Sequence, residues 1–182
     1  MIIIPRVETL RIIYLIYAVV SKEKIYMVTQ ISKLLLIATV IFLGLSAGAM
    51  LTEAVLFVPY WKKMPAQDFL AWFRNNEPHL VSFFGTSQIL GLIVTLLVTI
   101  LYQLQRLPNK NLLAIATLIN IFILLLYPIY FKQANASFAA ATIDLNNVSQ
   151  ELINWGMWQW FRTFLGISAF FVAVLALKEK NN

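Results

Sequence analysis

The sequence predicts an all-α integral membrane protein: a four-helix bundle with a short interfacial helix after the first span and a short N-terminal amphipathic or disordered lead. Two observations carry that prediction. Hydrophobic residues make up 60% of the 182-residue chain and charged residues 12%, against roughly 45–50% and about 25% in soluble domains. Four apolar stretches are also long enough to cross a hydrocarbon core, which demands roughly 20 residues of helix. The net charge of +6 does not indicate nucleic acid, because Lys and Arg are scattered through the short segments between apolar runs. Membrane topology accounts for that scatter. The absence of cysteine excludes disulfides, thiol catalysis and thiolate metal sites, and the single His79 excludes a poly-histidine centre. No metal and no cofactor are expected.

Residues 1–30 form the lead. Its apolar run, 10–20, is too short to span and lies among Arg6, Arg11, Lys22 and Lys24. It is expected as a surface helix, a disordered lead, or a stretch upstream of a true start at Met27. The transmembrane domain covers 31–177, and 178–182 is a cytoplasmic tail. Its first span, 31–58, contains only two charges, Lys33 and Glu53. A lone carboxylate deep in a span costs about 2.5–3.5 kcal/mol on insertion scales, so Glu53 calls for a partner or a task. Residues 65–74 read as the interfacial helix, with Pro65 in the first turn and Phe69, Leu70, Trp72 and Phe73 set against Gln67, Asp68 and Arg74. This helix should lid the bundle, with Pro78 breaking the chain before the second span at 79–102. The third span is 112–131 and the fourth 155–177.

The distribution of Lys and Arg orients the bundle. Arg6, Arg11, Lys22, Lys24, Lys33, Arg106, Lys110, Lys178 and Lys180 fall on one side, and Lys62, Lys63, Arg74 and Lys132 on the other. The richer side is cytoplasmic, so both termini are expected there. The connections 59–78 and 132–154 then face outward, and the five tryptophans, Trp61, Trp72, Trp155, Trp158 and Trp160, gather at that side, an aromatic belt in the plainest account. Gly44 and Gly48, continued by Thr52, and the series Ser87, Gly91, Thr95 and Thr99 mark close helix packing.

At the start of the fourth span, Trp155, Gln159, Arg162 and Gly166 are spaced so as to share one helical face. Arg162 lies about seven residues inside its span and Glu53 about five from the outer end of its own, so both sit roughly 8–10 Å below one surface. Matched depth predicts a Glu53–Arg162 ion pair, with the guanidinium suited to bidentate contact. Such a pair either serves a site or only locks the first span against the fourth.

The stretch 47–91, with Ala47-Gly48, Glu53, Val58-Pro59, Trp61, the run Phe69 to Phe73 and Pro78, resembles the anthrone oxygenase-like family of small four-span membrane proteins. Pro128 to Phe131, Asn135-Ala136 and the series Trp155, Trp158 and Arg162-Thr163 fit the same pattern, so the resemblance covers about 31–177. Many members carry a histidine where this chain has Gln159. The resemblance implies cofactor-independent oxygenation of a phenolic anthrone. It implies Glu53 as base and Arg162 holding the anion, Gln159 and Asn135 bonding substrate oxygens, and Trp155 or Trp158 stacking on the ring.

Two classes of function therefore compete. In one, the bundle is an enzyme or binder of a hydrophobic aromatic or quinone-like small molecule beneath the outer lid. In the other, it is a structural or accessory membrane protein whose buried pair fixes helix register. A transporter is disfavoured, because the chain has four spans and no internal repeat. Expected partners are membrane lipid and such a small molecule, with a homo-oligomer compatible. The expected location is the bacterial cell membrane.

Overall fold

The computed structural model describes residues 7–178, and every long element among them is helical. In chain order these are α1 (Val7–Thr52), a wide π turn at Glu53–Phe57, α2 (Val58–Trp61), α3 (Ala66–Leu104) and α4 (Lys110–Leu126). A second π turn at Tyr127–Phe131, α5 (Lys132–Ala140) and α6 (Leu145–Ala176) complete the chain. They merge into four rods, Tyr14–Trp61, Ala66–Leu104, Lys110–Ala140 and Leu145–Ala176, each long and apolar enough to cross a membrane. This is the expected all-α four-helix bundle.

Its elements run longer than the sequence suggested. Over the described part of the lead, α1 runs without interruption into the first span, from Val7 for 46 residues. Its side chains from Tyr14 to Val20 are exposed. Nor does Pro78 break the chain. It sits inside a continuous 39-residue α3, so the expected interfacial helix is the first part of the second rod. Proline removes one backbone donor. The turn around it is held by packing of Phe69, Leu70 and Phe73, all buried, and by Asn76 Nδ2 donating to the Trp72 carbonyl at 2.8 Å. Most of the connection expected at 132–154 is likewise helical. The break falls after Ala140, where Ala141 turns left-handed at φ 51°, and Asp144 caps α6 by accepting from the Asn146 N–H at 2.9 Å.

One end of the bundle is an aromatic core. Trp61, Phe69, Phe73, Phe131, Phe138 and Trp155 are buried together there, with ring centroids 5.0–5.9 Å apart. The opposite end is tied by polar contacts. Asn109 Nδ2 donates to the Lys178 carbonyl at 2.6 Å, Gln105 Nε2 donates to Ser32 Oγ at 2.7 Å, and the Thr99 and Thr117 hydroxyls are 2.7 Å apart.

Glycine lets α1 and α6 approach closely. A Cβ on Gly44 would stand 3.0 Å from the Phe170 ring, and one on Gly166 would stand 3.0 Å from Met50 Sδ and 3.7 Å from the Ala47 Cα. Gly48 is different. A Cβ there would meet nothing within 4 Å, so the expected Gly44–Gly48 stripe packs at only one of its glycines.

The second rod is packed unevenly. Its buried residues are Phe69, Leu70 and Phe73 near one end and Gly91, Thr95, Val98, Thr99 and Tyr102 toward the other. Between Phe73 and Gly91 none is buried, and that stretch contains Pro78.

Candidate functional site

Glu53 opens the first π turn. The Val58 N–H donates to its carbonyl, five residues back, in place of the usual four. Pro59 has no N–H to give to the preceding turn, which favours this wider winding. Beside the turn, Gln159 Nε2 of α6 donates to the Met50 carbonyl at 2.9 Å. The Thr163 hydroxyl lies 3.2 Å from the same oxygen and 2.8 Å from the Gln159 carbonyl. Side chains of the fourth rod thus hold the backbone of the first where its winding changes.

The predicted ion pair forms there. Arg162 Nη2 donates to Glu53 Oε2 at 2.6 Å, with the two side chains only 15% and 5% exposed. It differs from the expected bidentate fork, because the Arg162 Nε is buried without a partner. The guanidinium carbon also stands 4.5 Å over the Phe131 ring, a cation–π contact.

Both members of the pair line a cavity of about 360 Å³ that faces the unpacked middle of α3. Asn135 and Trp155 line it too, and Trp155 Nε1 donates to Asn135 Oδ1 at 2.9 Å. Asn135 lies inside α5 rather than in a loop. Four of the six residues singled out in the sequence are therefore gathered on one wall. The remaining two stand off it. Trp158 stacks on Tyr130, centroids 5.2 Å apart and planes at 17°, and Gln159 is fully buried against Met50. Trp158 and Gln159 are neighbours in sequence and so stand about 100° apart around α6: Trp158 turns to Tyr130 of the second π turn, and Gln159 to the Met50 carbonyl of α1.

Sequence reasoning missed the cavity's deeper end. Ser46 Oγ donates to Gln88 Oε1 at 3.1 Å, and Gln88 Nε2 donates to Asn120 Oδ1, which links α1, α3 and α4. The signal was there: Gln88 and Asn120 are amides in the middle of apolar spans, where polar side chains are costly. Glu77 lies on the cavity wall as well, half-buried on α3. His79 is exposed on α3. No group of three or more His, Cys, Asp or Glu among the described residues is placed to hold a metal.

Fold and site together define a chain with four helices long and apolar enough to cross a membrane and a largely apolar cavity between them that carries a few polar groups. No protein-family model, curated protein or solved structure matches it.

Proposed function

We propose that this chain is a multi-pass membrane protein, with both termini in the cytoplasm, whose cavity binds a hydrophobic aromatic small molecule of the phenol or quinone class. The observation that carries this reading is the cavity of about 360 Å³ with the Glu53–Arg162 pair on its wall. Its volume is of the size that takes small organic ligands, and such sites pair an apolar lining with a few directed polar groups. Phe73, Phe84, Phe131 and Trp155 supply the flat apolar faces. The unpartnered Arg162 Nε and the adjacent carboxylate supply a donor and an acceptor for a phenolic or quinone oxygen.

The chemistry implied by the anthrone oxygenase resemblance fits these groups. The Glu53 carboxylate takes a proton from the ring methylene, Arg162 holds the resulting phenolate-type anion, and dioxygen attacks the carbanion. One oxygen atom becomes the new carbonyl and the other leaves as water with the two methylene hydrogens. Gln159, buried behind the pair, acts by holding Met50 and the π turn rather than by touching substrate.

The test has two stages. Purified protein should bind an anthrone or hydroquinone with a dissociation constant in the micromolar range, and oxygen uptake with an anthrone should rise above the rate without protein. Absence of binding across a panel of such phenols overturns the site. Binding without oxygen uptake overturns the oxygenase chemistry alone.

A structural or accessory role is the second reading, favoured by the contacts of Gln159, Thr163 and Arg162 that cross-link α6 to α1. It predicts a pair replaceable by apolar residues without functional loss.

A further inference from the structure

The cavity has polar groups at two levels. Ser46, Ala49 and Met50 of α1 and Glu53 of the π turn that follows share one face of the first rod and all line it. Ser46 and Glu53 are two helical turns apart, about 10 Å along the axis. At the Glu53 level stand Arg162 and the Asn135–Trp155 pair; at the Ser46 level stands Gln88, bonded to Ser46 and Asn120. Between the levels the wall is apolar on two rods, with Ala49 and Met50 on one and Ile123 and Leu124 on the other.

The first level keeps a buried donor on the cavity wall with no partner, Arg162 Nε; at the second, Ser46 and Gln88 line the cavity while Asn120, 1% exposed, stands behind Gln88 with its Nδ2 unpartnered. An unsatisfied buried donor costs free energy, about 1–3 kcal/mol, that an apolar residue of similar size would not incur. A three-residue amide and hydroxyl cluster in the middle of apolar helices is likewise expensive unless it has a use.

Resting on the reading of the cavity as a ligand site, we propose that its ligand is two-ended. It has a flat aromatic body with an oxygen at each end, one oxygen meeting Arg162 and Glu53 and the other meeting the Gln88 cluster. The class is that of extended quinones, hydroquinones and polycyclic diols with oxygens on opposite edges. A simple phenol fills the same apolar volume but satisfies only one level.

Calorimetric titration of the full chain in detergent tests this, with two probes that share one ring system: naphthol, and a naphthalenediol whose hydroxyls lie at opposite ends. The diol should bind about five- to tenfold more tightly than naphthol, the gain of one buried hydrogen bond. In Gln88→Leu that preference should fall to about one. Equal affinities in the native chain overturn the two-ended ligand, as does a preference that survives Gln88→Leu, which would leave the cluster as a tie between helices only. If neither probe binds, the cavity reading itself falls and this inference with it. Should Gln88→Leu fail to fold, Ser46→Ala replaces it, and the ratio in the native chain still decides.

Discussion

Glu53 and Arg162 each lose hydration on entering the bundle, and their mutual contact at 2.6 Å offsets that loss only while both are present. Removing one partner strands the other. Glu53→Gln and Arg162→Met should therefore each lower stability by about 3–5 kcal/mol, read from denaturation in detergent. Glu53→Leu combined with Arg162→Met removes both charges and should recover most of that loss, since an apolar replacement of a buried pair is often neutral or stabilising. The double variant should nonetheless lose the phenol site. A double variant that keeps ligand binding would make the pair a strut. The pairing was legible in the sequence, because residue counts from the outer ends gave both groups the same depth. Its single-contact geometry and the Asn135–Trp155 hydrogen bond were not, since both depend on the rotation of α5 and α6 after a π turn that widens the winding.

At the level of elements, two glycines of similar appearance in the sequence have opposite surroundings. A Cβ on Gly85 of α3 meets nothing within 4 Å, and Gly85 lines the cavity; a Cβ on Gly166 of α6 stands 3.0 Å from Met50 Sδ. Gly85→Leu should leave thermal stability unchanged or raise it by up to about 1 kcal/mol, through helix propensity, while filling the cavity and abolishing ligand binding. Gly166→Leu should cost about 1–3 kcal/mol or more by forcing α1 and α6 apart. Thermal unfolding and titration of the two variants side by side check this, and a Gly85→Leu that still binds its ligand would place the site elsewhere. Small-residue spacing alone could not tell these positions apart, because it reports helical faces and not what stands across from them. The same holds for proline. Pro78 read as a break because a proline costs a helix one hydrogen bond, yet packing of Phe69 and Phe73 on one side keeps α3 continuous. Where Pro59 and Pro128 fall, the winding widens instead.

Across the whole molecule, the two ends of the bundle are tied in different ways: by an aromatic cluster around Trp61 and Trp155 at one, and by the Asn109, Gln105 and Thr99 contacts at the other. The cavity occupies the part of the interval nearer the aromatic cluster, along the stretch of α3 after Phe73 that buries no side chain. The number of spans and their apolar character were legible from composition and length; the true extent of the rods was not, since polar residues on the outer turns look like loop while extending a helix already formed. The described part of the lead is continuous with the rest of α1. Its side chains from Tyr14 to Val20 are exposed, and among the described residues α1 bonds to the end of the second rod at Thr29 Oγ1 with Gln105 Oε1, 3.4 Å apart. Among the described residues of α1, the buried ones begin at Ser32. A chain beginning at Met27 should therefore unfold within about 2 °C of the full chain, as expected for changes to exposed positions, and should bind the same ligand with the same affinity. A fall of many degrees, or a loss of ligand binding, would mean that the lead packs on the bundle in the membrane and that the cavity depends on it.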